Sequence, residues 1–244
     1  MNYPELLINV KGPAARLFES VSGLVFPPNI YCICCGDVMT GRRIHGLCDE
    51  CTKKTGWLAR RIDRIDYDAV SFDNAYAVCS YDMYSEKIIY RLKFKSESYL
   101  ADDMGRLMAE TYTASESYDP SRLVVPVPMH KDKIKDRGYN QAELLARAFA
   151  KYSGLAFYPA LSKIKKTVSM RTARQAGRAR ALEGSIALSP GFDAAGLSFV
   201  VIDDVLTTGA TADACTCVLK AHGAKSVDFV SFAAVGEKPD IKFE

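Results

Sequence analysis

Asp203 and Asp204 stand side by side in the run VVIDDVLTTGAT (200–211), and no other dozen residues of the chain carry as much chemistry. Ionised carboxylates only accept hydrogen bonds, so a pair of them suits hydroxyl groups with protons to give, such as the vicinal pair on a ribose. The loop that follows, Thr207-Thr208-Gly209-Ala210-Thr211, offers the opposite chemistry. Gly209 lets the backbone approach a ligand closely, and Thr207, Thr208 and Thr211 carry hydroxyl donors. Ala212 to Ala221 reads as a helix. Its N-terminus presents unpaired N–H groups and a partial positive charge, which suit a phosphate. Acceptors for a diol at one end and donors for a phosphate at the other describe a ribose 5-phosphate. The plain alternative is a buried strand, a capped helix and two solvated acids; an Asp-Asp pair alone would favour it, and the full string favours the site. Neither GxxxxGK[ST] nor GxGxxG occurs anywhere in the chain, so this is neither a Walker loop nor a dinucleotide fingerprint.

The cysteines offer a second chemistry. Cys32 and Cys35 form one C-x-x-C pair and Cys48 and Cys51 another, with twelve residues between the pairs. Each pair can present two thiolates from one tight turn, Gly36 and Gly46 can supply the turns, and two such turns close a tetrahedral Zn2+ site of structural type. A dithiol redox pair and four unpaired thiols are the competing readings. Cys34 would crowd its own turn as a ligand, His45 fits a surface loop better, and Cys79, Cys215 and Cys217 read as packing residues. Eight cysteines could frame a small secreted protein, but Pro4, Glu5 and Lys11 spoil any export signal. No apolar run reaches the roughly 18 residues of a membrane span. The expectation is a cytoplasmic protein without membrane insertion.

Two basic regions flank the rest. In VVPVPMHKDKIK (124–135) the alternate prolines do not suit a central strand, so the strand is expected to end by Val125. Val127, Pro128 and Met129 then form a stiff loop, with Lys131, Lys133, Lys135 and Arg137 close behind. Such a loop can seat a pyrophosphate, or be a proline-rich turn with solvated lysines. From Leu161 to Leu182 there are seven Lys or Arg and no acid. Folded over a ligand, that loop would exclude water and set Arg171 or Arg174 on a departing pyrophosphate. As a nucleic-acid contact it would neutralise backbone phosphates, and as a solvated loop it would do neither. It carries no aromatic residue between Tyr158 and Phe192, so by itself it is a poor platform for stacking bases.

The elements that must position these groups alternate along the chain. Leu6–Phe26 is broadly apolar and reads as a helix kinked near Gly12-Pro13. The cysteine module spans about 30–57, and a charged connector covers 60–68. Asn74–Tyr81, Leu123–Val127 and Leu197–Ile202 read as strands, the last short, apolar and partly β-branched like a buried parallel strand. Tyr84–Phe94, Glu97–Thr113 and Gly138–Tyr152 have helical periodicity. Leu161–Lys165 and Ser185–Leu188 are short strand candidates around the basic loop, and a last strand ends near Phe232. Strands alternating with helices give an α/β fold with a largely parallel sheet. With 244 residues, 48% hydrophobic and 25% charged, the chain holds one sizeable α/β domain and a small appendage. A net charge of +3 is too small to dictate a partner.

VVIDDVLTTGAT resembles the PRPP-binding motif of type I phosphoribosyltransferases, where four apolar residues precede two acids and a T-T-G-x-T loop. PVPMH followed by RGYNQA (137–142), with Leu92-Lys93-Phe94 upstream, is similar to the ComF family, also called competence protein F. That resemblance covers most of the chain and implies a type I phosphoribosyltransferase-like fold: a mostly parallel sheet with flanking helices, plus a small N-terminal zinc module with four cysteine ligands. It implies a helical segment over 1–29, the zinc module over 30–60 and the phosphoribosyltransferase-like domain over 61–244. It further implies that Asp203 and Asp204 hold the ribose and Thr207 to Thr211 the 5-phosphate of PRPP, with Mg2+ bound alongside. The activity implied is transfer of ribose 5-phosphate to an acceptor with release of pyrophosphate. The alternative is a non-catalytic PRPP-sensing or DNA-binding adaptor in DNA uptake, with single-stranded DNA or uptake proteins as partners. Purine-salvage members carry Asp where this chain has Thr207, which argues against a purine acceptor. Met170 stands where the family commonly has Gln, and Ala181 where it has Asn.

Overall fold

A computed structural model describes residues 31–39, 46–55, 62–63, 71–164 and 184–235. The helix expected over Leu6–Phe26, His45, and the loop residues Met170, Arg171, Arg174 and Ala181 lie outside these. The chain divides into two compact units, Met1–Gly56 and Trp57–Glu244.

In the first unit the chain turns tightly after Cys32, whose N–H donates to Asp37 O at 2.8 Å while Gly36 N–H returns to Cys32 O at 2.9 Å. Gly36 takes φ 82°, a left-handed conformation that a side chain resists. Helix α1 (Asp49–Thr55) follows, with Asp49 and Glu50 in its first turn and Lys53 and Lys54 in its last, matching the helix dipole at both ends. Ile33 and Leu47 are buried beside the cysteines.

The second unit is built on a six-stranded sheet. Its strands are β1 (Ile62–Asp63), β2 (Asn74–Ser80), β3 (Leu123–Pro126), β4 (Ala156–Phe157), β7 (Ser198–Leu206) and β8 (Ser226–Ala234), in the order β1-β2-β8-β7-β3-β4. Every pairing is parallel except β1 with β2. Strands β5 (Leu161–Lys163) and β6 (Ile186–Leu188) form a separate antiparallel ribbon. The helices among the described residues of this unit are α2 (Met83–Phe94), α3 (Leu100–Thr113), α4 (Lys131–Arg137), α5 (Gln141–Ser153) and α6 (Ala210–Ala221). The expected mostly parallel sheet with flanking helices is therefore the fold observed.

Side chains alternate across the sheet, so each strand feeds two cores. One face carries Val125, Phe199, Val201, Val227 and Phe229 against Ala212, Cys215 and Leu219 of α6. On the other, Tyr76 meets Tyr112 of α3 with ring centroids 5.5 Å apart, and Tyr112 meets Phe149 of α5 at 5.8 Å. Helices α3 and α5 cross closely at Gly105, where an added Cβ would lie 2.5 Å from Ala148 Cβ. Asp228, fully buried, accepts from Tyr112 Oη at 2.9 Å and Asn74 Nδ2 at 2.9 Å and pairs with Arg122 at 3.4 Å. No helix among the described residues is long and apolar enough to cross a membrane.

Three expectations need correction. Strand β3 does not stop at Val125 but runs through Pro126, paired with Ile202. Val127 N–H donates to Ile202 O, so by alternation the Pro126 nitrogen faces the other side, where the two-residue β4 has already ended and no ladder bond is lost. Strand β7 does not end before the acids; it continues through Asp203 and Asp204 to Leu206 because β8 pairs with it throughout. The basic stretch after His130 is not loop but α4, capped by His130 Nδ1 accepting from Asp132 N and closed by Gly138 at φ 89°. A new cap, Asn140, then starts α5.

Candidate functional site

Strands β3 and β7 are neighbours whose connections leave in opposite directions: β3 passes through α4 and α5 to β4, and β7 through α6 to β8. A crevice at such a switch point, outside the carboxyl ends of the strands, is where parallel sheets place ligands. Because β3 stops opposite Ile202 while β7 runs on, Asp203 and Asp204 lie on β7's unpaired flank, beside the loop that leaves β3 at Val127. The two stretches singled out by sequence are thus brought together at one sheet edge.

The two residues are successive on β7, yet their carboxylates stay close enough to act on each other. Asp204, only 3% exposed, points to the side of α2 and α5. Lys93 of α2 is ion-paired with its Oδ2, and Gln141 Nε2 donates to Oδ1 at 3.3 Å. Asp203, half-buried, accepts the Asp204 N–H at 2.9 Å and stands toward Cys215 on α6. Burial alone would raise the Asp204 carboxyl, but the Lys93 charge and the hydrogen bonds it receives outweigh that and hold it below the usual carboxylate range. Burial, followed by the adjacent Asp204 charge, pushes Asp203 well above that range. The two directions differ because Lys93 pairs with Asp204 and not with Asp203.

After Leu206, Thr207 is exposed while Thr208 and Thr211 are half-buried. Gly209 is buried at φ 74° and forms the N-cap of α6, with its carbonyl accepting from Asp213 N at 2.7 Å. Among the described residues no side chain caps α6, so its first N–H groups are free to face a ligand, with Ala210 and Thr211 in the first turn. Opposite, Val127 is buried, and its carbonyl accepts from Asn140 Nδ2 at 3.0 Å; Pro128 and Met129 are half-buried at the edge. Lys131, Lys133 and Lys135 are exposed on α4. Arg137 donates to Gln141 Oε1, and its guanidinium lies 5.1 Å from the Phe94 ring centroid. A cleft of about 460 Å³ opens between the 126–131 loop and β5, its wall including His130, Asn140 and Lys163 and none of residues 203–211. Burial lowers the Lys163 ammonium pKa there.

The roles of Lys93 and Gln141 were missed from sequence. Both sit in segments that carried a resemblance, yet neither spacing nor residue type reveals that they converge on one carboxylate. A second omission is the outer face of α2. Tyr90 and Phe94 are 48% and 54% exposed, one helical turn apart, with ring centroids 5.2 Å apart.

In the first unit the sulfurs of Cys32, Cys35, Cys48 and Cys51 all lie within 4.8 Å of one another, and Cys34 is outside the group. Cys35 Sγ and Cys48 Sγ are 3.9 Å apart. Sulfurs held tetrahedrally at about 2.3 Å from a zinc ion stand about 3.8 Å apart, so the spacing fits a metal. Cys48 N–H and Cys51 N–H point at Cys32 Sγ and Cys48 Sγ, both at 3.4 Å. Burial would raise Cys32, but the N–H groups of Cys35, Cys48 and Cys34 bring it down to about 7. Burial pushes Cys35 up to about 11 and, with the neighbouring thiols, pushes Cys51 up further. Held as four thiolates in that volume, they would need a cation between them.

No family model matches the chain. It is similar to DNA utilization protein YhgH of Salmonella typhi, 27% identical over 186 residues, covering 74% of this chain and 81% of that one. It is similar to competence protein ComFC of Bacillus subtilis, 25% identical over 186 residues with 75% and 70% covered. Competence protein F of Haemophilus influenzae is 22% identical over 185 residues, with 74% and 81% covered. Among solved structures, a glutamine PRPP amidotransferase of B. subtilis aligns with TM-score 0.37 at 20% identity over 53% of this chain and 25% of that one. A hypoxanthine phosphoribosyltransferase of Staphylococcus aureus aligns with TM-score 0.36 at 14% identity over 59% and 68%. At those scores the fold rests on the sheet order given above. By sequence, the chain is thus similar, over about three quarters of its length, to competence protein F, ComFC and DNA utilization protein YhgH.

Proposed function

We propose that this cytoplasmic protein binds PRPP with Mg2+ at the carboxyl edge between β3 and β7 and transfers its ribose 5-phosphate to an acceptor, releasing pyrophosphate. The observation that carries the reading is the pair of carboxylates leading straight into a glycine-capped helix whose first N–H groups no described side chain occupies. Thr207, Thr208, Gly209, Ala210 and Thr211 would hold the 5-phosphate by backbone N–H and hydroxyl donors. Asp203 and Asp204 would accept from the ribose hydroxyls and place negative charge near C1 as its bond to pyrophosphate breaks. Val127, Pro128 and Met129 would seat the pyrophosphate, with Arg171 and Arg174 expected from the basic loop. Bound Mg2+ would neutralise pyrophosphate oxygens, held chiefly by PRPP itself. The acceptor supplies the electron pair that forms the new bond at C1, and the leaving group takes the old one. In the first unit, Cys32, Cys35, Cys48 and Cys51 would hold a structural Zn2+. The test is calorimetric titration of Mg–PRPP into the full chain and into an Asp203→Asn/Asp204→Asn variant. Saturable binding lost in the variant is the expected result, and equal affinity in both would remove the assignment.

One observation favours a second reading, in which the protein contacts single-stranded DNA. Tyr90 and Phe94 present neighbouring, exposed rings between exposed Lys87 and Lys95, with Arg137 against Phe94. Aromatic faces interleaved with cations suit bases and phosphates together, and the relatives' names speak of DNA utilization and competence. Fluorescence anisotropy with a labelled oligothymidylate should show binding that weakens with salt and drops at least tenfold in Tyr90→Ala/Phe94→Ala. Unchanged affinity in the double variant would rule out this face.

A further inference from the structure

Two segments, Leu92-Lys93-Phe94 and Arg137-Gly138-Tyr139-Asn140-Gln141, stand out in the sequence, and of their residues only Arg137 has an expected part in binding phosphate. They meet at Asp204. Lys93 reaches Oδ2 from α2, and Gln141, the first residue of α5, donates to Oδ1. The Lys93 side chain is 23% exposed and that of Asp204 4%, so the pair is largely shielded from water. Behind them the motif is braced at each residue. Arg137 donates to Gln141 Oε1, which leaves the Gln141 amide nitrogen to face Asp204. Tyr139 Oη donates to Leu92 O, tying the motif to the turn that carries Lys93. Asn140 donates to Val127 O, tying it to the loop across the crevice.

We propose that Lys93 and Gln141 are positioning residues that keep Asp204 ionised and fixed for ribose binding, Lys93 by charge and Gln141 by orientation. The proposal rests on the PRPP reading above and deepens it. Each carboxylate oxygen accepts about two hydrogen bonds, so one protein donor on each leaves capacity for a ribose hydroxyl. Among the described residues, the charged groups around Asp204 are Lys93 from α2 and Asp203 on its own strand; Arg137 from α4 acts on Lys93, and Asp203 on Cys215 from α6. Without Lys93, a buried carboxylate beside a second one takes up a proton more readily. The raised Lys93 pKa and lowered Asp204 pKa agree with the pairing, since each partner favours the other's charged form.

The experiment is Mg–PRPP titration by calorimetry at pH 6.0, 7.0 and 8.5 (roughly the span over which such a shift would show) with wild type, Lys93→Met, Lys93→Gln, Lys93→Arg and Gln141→Leu. Lys93→Arg should follow the wild-type pH profile, which includes the ionisation of the phosphates of PRPP itself, and the other variants are read relative to it. Lys93→Met and Lys93→Gln should lose at least tenfold more affinity at the lowest pH than at the highest, and Gln141→Leu should weaken binding equally throughout. A Lys93 variant that binds like wild type at every pH, or is weaker by one constant factor, overturns the proposal. Absence of binding by wild type would instead sink the PRPP reading. The Lys93 claim is then decided by carbon-detected NMR titration of the Asp204 carboxyl, which should titrate at higher pH in Lys93→Gln than in wild type; an unmoved titration overturns it.

Discussion

Gly105→Ala is a test of the helix crossing that holds α5, and with it Gln141, against the sheet. A Cβ at residue 105 would lie 2.5 Å from Ala148 Cβ, 2.9 Å from Leu145 O and 3.0 Å from Phe149 N. Two of those atoms are backbone and the third is a methyl with no rotamer to change, so relief requires the helices to separate. Carbon atoms at rest stand about 3.5–4.0 Å apart, which asks for roughly 1 Å of movement. Overpacking of this kind costs about 1–3 kcal/mol. Alanine returns about 1 kcal/mol of helix propensity over glycine. With three unyielding neighbours the clash falls at the upper end of that range and wins, leaving a net loss of about 2 kcal/mol, or about 4–8 °C in Tm for a unit of this size. Urea and thermal unfolding of the full chain, followed by circular dichroism, would measure it. Restoring part of the loss with Ala148→Gly in the same chain would locate the strain. A Gly105→Ala protein as stable as wild type, or more so, would show that the helices do not meet as described and that the glycine is an ordinary weak point in α3.

The remaining predictions address the other parts of the molecule. Metal analysis of the purified chain should find zinc in wild type and none in Cys48→Ser/Cys51→Ser, whereas Mg–PRPP binding by the second unit should survive; zinc retained by the variant would disprove the ligand set. Asn140→Ala removes both the cap on Ala142 N–H and the bond to Val127 O, so urea unfolding should show a loss of about 1–2 kcal/mol, and PRPP affinity should fall with it. Burial, reinforced by Asp102, pushes the Asp103 carboxyl up to about 6 from an ordinary 3.8. Between those values the unfolded chain releases a proton that the folded one retains, so stability falls as pH rises from about 4 to about 6. Relative to Asp103→Asn the wild type should lose roughly 3 kcal/mol over that interval and nothing more above it, read from urea midpoints; a flat difference would refute the shift.

The parts of the site legible in sequence were those whose chemistry is local. Acids, threonines and a glycine within twelve residues declare acceptors, donors and a turn without knowledge of the fold. Two C-x-x-C pairs declare a cluster in the same way. Helix α4 was not legible because none of its residues is buried, so no apolar period marks it; its signals are a histidine cap and a closing glycine. The extension of β7 through two aspartates runs against strand propensity and is decided by β8 alongside it. The role of Lys93 was out of reach for a different reason: its partner lies more than a hundred residues away, and an Arg, Lys or Gln in the first or last turn of an amphipathic helix reads as solvated until the sheet edge is in place.

The sheet order has a consequence for how the protein comes into being. Strand β8, the last described element, lies between β2 and β7, pairing Asn74 with Asp228 on one side and Ser198 with Ser226 on the other. Until Ser226–Ala234 has emerged from the ribosome, the nascent chain holds two half-sheets, each with an open parallel edge of buried type, and no seam between them. Joining residues some 150 positions apart is slow because loop closure must precede any reward. The newborn polypeptide therefore spends its synthesis in a state prone to association, and a message truncated before Ser226 would encode a product for chaperones and proteases rather than a smaller working domain.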